Sequence, residues 1–357
     1  MDIHLGRDKQ LLASKIILVD GFSSSGKSLV CSLITSLDKV ENWQIDYSYE
    51  QIATLYYNNK ISINTVRAIY NTRTDELIYN LFISRNVNFR KTDMSSPYYN
   101  GNEDKYLKRL NKREGDGVAK EILHAKPIIP LHIHYIFGYT DVLLKAFKNK
   151  LGLYIVMLRN PLYLICKWDE NKWVNRIGFD NRDFHLTLNY KNKIIPWYTK
   201  EYANEYIEAN NTEKSILTVY HLYKRIFSMY QSLCVDEQQK MLFIFFDEFI
   251  NRPLDYIDRI CLSLNTFKTK DFDNMMNRLS LPRNEQEQYI TIDEFILKNS
   301  SKISPHYKNL SLEIHEMYNK YPCFSPIPSL AYHCANINSV FGVSPNMDLK
   351  KLWDENN

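Results

Sequence analysis

The stretch Lys15-Ile16-Ile17-Leu18-Val19-Asp20-Gly21-Phe22-Ser23-Ser24-Ser25-Gly26-Lys27-Ser28 decides the fold. Its first six residues are a short, almost wholly apolar run, as expected of a buried central strand in a parallel sheet. The run enters Gly-x4-Gly-Lys-Ser, the full phosphate-loop pattern, and the residues after it predict a helix over 27–37. A serine-rich turn before a surface helix could carry the same letters; the strand before and the helix after favour the phosphate loop. Gly21 and Gly26 permit backbone angles at which N–H groups converge on phosphate oxygens, and the helix N-terminus adds partial positive charge. Ser23, Ser24 and Ser25 fill the loop, and Lys27 is placed to reach the β and γ phosphates of a nucleotide. Ser28 offers a hydroxyl to Mg²⁺, a hard cation that prefers oxygen, so the implied ligand is Mg-ATP or Mg-GTP.

Outward from the loop, apolar runs alternate with helical patterns. Residues 43–46 form a plausible strand edge, and 49–84 are helical with a capped start near Ser62. Residues 128–135 and 153–158 are strands, with helices near 141–148 and after Pro161. Residues 216–233 have helical spacing, 241–246 form a last central strand, and Pro253 opens a helix ending near Leu264. This alternation predicts an α/β fold, a parallel sheet flanked by helices and carrying helical insertions, as one domain over 1–357. Residues 87–118 are rich in Asn, Lys, Asp and Gly and are expected to form a loop or mobile lid. Residues 176–215 lack a clear period and suggest an insertion covering a substrate. Residues 266–357 are expected to be helical or irregular, with a loop at 322–328.

Composition narrows the classes. With 45% hydrophobic and 24% charged residues the chain should fold, and a net charge of +4 is too small for a dedicated nucleic-acid binder. The 26 tyrosines fit an AT-rich genome as readily as an aromatic surface. Cys31, Cys166, Cys234, Cys261, Cys323 and Cys334 show no paired or metal-ligand spacing. No apolar run approaches the roughly 20 residues that span a bilayer. A cytoplasmic location is therefore expected.

The opening segment, followed by Trp43-Gln44-Ile45-Asp46, resembles the chloramphenicol phosphotransferase type of small-molecule kinase. That resemblance implies that Asp46 is the base that deprotonates an acceptor hydroxyl; on the residues alone it could equally cap the helix that follows. A second resemblance, to the sulfotransferases, extends further. Residues 154–168, YIVMLRNPLYLICKW, are similar to the strand-RNP-helix segment with which that family binds the 3′-phosphate of its sulfate donor, and 241–264 look like its late strand and helix. Gly26-Lys27-Ser28 departs from the family's usual Gly-Thr-Thr, Ser24 stands where a basic residue is usual, and Lys167 replaces a serine that helps hold the 3′-phosphate.

Arg159 is a candidate phosphate clamp or else a structural ion pair at a strand end. Asp247, closing an apolar strand, is a candidate Mg²⁺ carboxylate, although such strand ends are common. His132 and His134 share one strand face and receive no role. These readings favour an ATP-dependent kinase acting on a hydroxyl of a small molecule, possible sugars included, with Lys27, Asp46 and Arg159 catalytic. The alternatives are a sulfotransferase using 3′-phosphoadenylyl sulfate and a nucleotide-dependent switch.

Overall fold

In the computed structural model, which describes residues 5–7, 11–283 and 290–320, the apolar run becomes β1 (Lys15–Gly21), buried at every position after the first. It lies at the centre of a five-stranded parallel sheet with β2 (Gln44–Ile45), β3 (Ile128–His132), β4 (Leu151–Leu158) and β7 (Met241–Phe245), in the order β2-β3-β1-β4-β7. β5 (Thr187–Tyr190) and β6 (Lys193–Pro196) form a separate antiparallel hairpin. Helices cover the sheet, so the central strands have no solvated face and their sequences run apolar without alternation.

The helix after the loop, α1 (Lys27–Ile34), lays Val30, Cys31, Leu33 and Ile34 against Val19, Ile155 and Ile244, a core shared with Ile257 and Ile260 of the helix Pro253–Leu264. Truncating one of these large aliphatics to alanine costs about 2–5 kcal/mol. The helix Asn211–Ser232 packs on the helix Pro161–Glu170. β2 leads into α2 (Ser48–Tyr57) and α3 (Ile63–Phe82). Ser62 caps α3 by accepting from the Thr65 N–H at 3.2 Å, a bond worth about 1 kcal/mol.

Residues 87–118, polar enough to suggest a loop, instead contain helices Pro97–Asn100 and Glu103–Arg109 and run into Asp116–Ala125. The cause is a buried polar network. Arg109 donates to both oxygens of Glu41, at 2.7 and 3.1 Å, and the Tyr106 hydroxyl donates to Glu41 Oε2 at 2.6 Å. Asn100 donates to Asn42 Oδ1 at 2.9 Å. Burial works to raise the Glu41 carboxyl, but Lys105 and Arg109 override it and hold the group at about 2.

Residues 176–215 carry the hairpin and the short helix Ala203–Glu208. Beyond residue 266 lie helices Phe272–Arg278, Ile292–Asn299 and Pro305–Lys320. The expected loop at 322–328 lies outside the described residues. The chain divides into two units, Met1–Tyr318 and Asn319–Asn357; the sheet belongs to the first. Among the described residues no helix is long and apolar enough to cross a membrane.

Candidate functional site

The phosphate loop leaves β1 at Gly21, with φ of +141°, and enters α1 at Gly26, with φ of +98°. Side chains are excluded at both points. A Cβ on Gly26 would lie 2.4 Å from Phe246 Cδ2, and one on Gly21 would lie 2.5 Å from the Met157 carbonyl oxygen. Between them Phe22 is buried among Phe137, Trp168 and Tyr223, with ring centroids 4.8, 5.3 and 5.4 Å away. The carbonyls of the loop are taken up by donors around it: Trp168 Nε1 donates to Ser23 O at 3.2 Å and Arg159 Nη1 to Ser24 O at 2.8 Å. The Leu29 and Val30 N–H groups donate to the Gly26 carbonyl, and those of Lys27 and Ser28 remain as donors to an anion.

Lys27 is buried and donates to the carbonyls of Gly21 and Phe22, 2.8 Å from each. Burial lowers its ammonium to about 8, against the attraction of Asp20 and Glu50. Asp20, which the sequence reading treats only as the end of a strand, is fully buried at the foot of the loop. Its oxygens accept from the Gly21 N–H at 2.6 Å and the Tyr154 hydroxyl at 2.7 Å. Burial raises its carboxyl to about 6, with Lys27 opposing. An acid near the end of a buried strand, seven residues before the loop lysine, is the sequence signal that marks it.

A cavity of about 580 Å³ opens on this loop. Its charged lining is Lys27, Arg159, Arg278 and Arg283, joined by His132 and His134, and no carboxylate contributes among the described residues. Such a surface suits a polyanion. The Arg159 guanidinium is sandwiched by rings, 4.2 Å from the Tyr163 centroid and 4.0 Å from that of Phe246, which fixes its plane. Arg278 and Arg283 come from beyond residue 265 and no local motif announces them.

At the end of β3, His132 Nε2 stands 3.5 Å from Ser28 Oγ, the outer limit of a hydrogen bond. Burial, then Lys27, pushes the imidazoles of His132 and His134 well below the usual histidine range. His134 Nδ1 lies 2.8 Å from Glu50 Oε1, and His185 Nε2 lies 3.0 Å from Glu50 Oε2. Asp183 Oδ1 accepts from His185 Nδ1–H. Burial raises Glu50 to about 7, with His185 opposing. For His185 burial is overridden by Asp183 and Glu50, which carry it to about 9.

Three sequence-predicted residues stand elsewhere. Asp46 does not line the cavity; its Oδ2 accepts from Arg73 Nε at 2.6 Å and its Oδ1 from the Ser48 N–H at 2.9 Å. One oxygen thus holds the start of α2 and the other pairs with α3. Asp247 lies in the first turn of the helix Phe246–Asn251, also off the cavity. Burial raises its carboxyl, while Arg159 and a hydrogen bond from Tyr318 lower it. Lys167, expected near a 3′-phosphate, pairs with Glu170 at 3.8 Å instead. Ser28 Oγ faces His132 Nε2, and a Mg²⁺ ion held at Ser28 would take its remaining oxygens from phosphate and water.

No family model matches the chain, and no curated protein does. Solved structures similar to it include the sulfotransferase domain from the Synechococcus PCC 7002 olefin synthase, at 10% identity and TM-score 0.43, covering 89% of this chain and 98% of that one. The sulfotransferase domain from the curacin biosynthetic pathway is similar at 11% identity and TM-score 0.42, covering 85% and 97%. The sulfotransferase STF9 from Mycobacterium avium is similar at 11% identity and TM-score 0.39, covering 82% and 76%.

Proposed function

We propose that this protein transfers a sulfuryl group from 3′-phosphoadenylyl sulfate to a hydroxyl of a small acceptor. The observation that carries the reading is the cavity lining: four cationic side chains and two imidazoles, with no carboxylate among the described lining residues. A metal-free polyanionic donor needs only cations and N–H groups, which this lining supplies.

In this reading the loop N–H groups and Ser28 hold the 5′-phosphate, and Arg159, its plane fixed by Tyr163 and Phe246, binds the 3′-phosphate. Lys27 exchanges its carbonyl partners for the oxygen that bridges phosphate and sulfate, where negative charge grows as that S–O bond breaks. The acceptor oxygen attacks sulfur and forms the new S–O bond. His132, whose Nε2 faces Ser28, takes the hydroxyl proton. The leaving group is adenosine 3′,5′-bisphosphate.

ATP-dependent phosphoryl transfer is the second reading, favoured by the complete Gly26-Lys27-Ser28 motif. Equilibrium binding separates the two. Adenosine 3′,5′-bisphosphate is expected to bind without metal and at least tenfold more tightly than ATP, with added Mg²⁺ changing neither affinity in its favour. Mg²⁺-dependent ATP binding with no affinity for the bisphosphate would overturn the sulfuryl-transfer reading and leave the kinase.

A further inference from the structure

Glu50, His134 and His185 meet beside the loop but come from α2, from just beyond β3 and from the 176–215 segment. His134 Nδ1, His185 Nε2 and the Glu50 carboxylate all lie within 4.8 Å of one another. We propose that these three side chains bind one divalent transition metal of the zinc type, with Asp183 as the outer carboxylate that orients His185.

The ligand set comes first. Two imidazoles and a carboxylate suit Zn²⁺, which accepts nitrogen and oxygen donors, and suit Mg²⁺ or Ca²⁺ poorly. The scattered cysteines gave no such signal, because the site is built without thiolate.

Unsatisfied atoms supply the second argument. Glu50 Oε2 and His185 Nε2 are both buried and stand 3.0 Å apart as an ion pair, but without the alignment of a good hydrogen bond. Buried polar atoms are seldom left so. A cation between them would satisfy both. The donor atoms, now 2.8 and 3.0 Å apart, need to open only to about 3.3 Å to surround an ion at zinc distances.

Asp183 provides the third. By accepting from His185 Nδ1–H it leaves Nε2, which faces Glu50, as the nitrogen that would give up its proton to a metal, the carboxylate-histidine arrangement that commonly backs metal ligands. A small cavity of about 70 Å³, lined by His134, His185, Asp183, Tyr47 and Ser23 together with Arg176 and Arg182, adjoins the two histidines. It has room for a water as fourth ligand. The metal would tie the 176–215 segment to the body of the protein.

The test uses the full chain stripped of metal by a chelator and then dialysed, and it does not depend on the transferred group. Titration with Zn²⁺ is expected to reach one equivalent with a Kd below 10⁻⁶ M, on the order expected of a formed three-ligand site, and Co²⁺ should give the visible absorption of a low-symmetry site. Saturating Zn²⁺ should raise Tm by roughly 3–5 °C. His185→Ala should abolish binding, and Asp183→Asn should weaken it about 10–100-fold. If wild-type protein takes up no Zn²⁺, or His185→Ala binds it as tightly as wild type, the proposal is overturned. The cluster is then an imidazolium held between two carboxylates, and His185→Ala lowers Tm with no metal present. Loss of metal binding with donor affinity intact would separate this site from the sulfuryl-transfer reading.

Discussion

Arg159 donates to the carbonyl of Ser24 across 2.8 Å, so the residue that follows β4 sets the shape of the loop that follows β1. One side chain thus both lines the cavity and braces its wall. Ser24 sits at φ +68°, a conformation that few non-glycine residues hold without support.

Arg159→Ala is expected to raise KM for the sulfate donor at least tenfold, with a smaller fall in kcat. Arg159→Lys should recover little, since lysine has neither the planar fork nor the ring stacking. Steady-state kinetics with varied donor, alongside direct binding of the bisphosphate, checks this; unchanged affinity would remove Arg159 from the site.

His132→Ala should lower kcat by about 10²–10⁴ while leaving donor binding within a few-fold of wild type, the pattern of a lost proton acceptor. A variant that turns over normally would assign the proton to another group.

Asp46→Asn should be almost silent. Asparagine offers the same oxygen to the Ser48 N–H, and the lost ion pair involves an Arg73 side chain that is one-third exposed and screened by water. Asp46→Ala, which removes the turn acceptor, should cost about 0.5–2 kcal/mol in chemical denaturation and little activity. A hundredfold loss of transfer in a stable Asp46→Asn protein would restore it as the base.

Acid should release the Glu41 network. Its carboxyl is held at about 2 in the folded chain against an ordinary 4.5, so its contribution is full above about 4.5 and disappears as pH falls toward 2. Arg109→Met should cost about 3–5 kcal/mol at neutral pH by leaving Glu41 short of a partner. It should also move the acid-unfolding midpoint upward, measurable by circular dichroism.

The sheet and loop were legible because their signals are local. An apolar run without alternation, a complete Gly-x4-Gly-Lys-Ser and a proline at a helix start each announce themselves within a dozen residues. The helices within 87–118 were not legible because a few of that segment's polar letters, Ser95, Asn100 and Arg109, are buried partners of Glu41 and Asn42, a contact set by tertiary packing. Part of the cavity was hidden for the same reason. Arg278 and Arg283 reach a loop some 250 positions earlier, and Glu50 meets His185 across 135 positions, so neither pairing leaves a pattern in sequence. The sequence left Asp46 open between base and helix cap because a strand-end acid and a turn acid look alike until Arg73 is seen beside it.

Lys27 has one more consequence. Its ammonium, lowered to about 8 and bonded to the carbonyls of Gly21 and Phe22, is in part a neutral amine at mildly alkaline pH. An anion settling in the loop favours the charged form, so capture draws a proton out of solution along with the ligand. Affinity for the donor then rises as pH falls from about 9 to 7 and levels off below, and the heat of binding follows the ionisation enthalpy of whichever buffer gives up the proton. The loop behaves as a trap that closes on two particles, an anion and a hydrogen ion, and the second is visible in a calorimeter even when the chemistry of the first is silent.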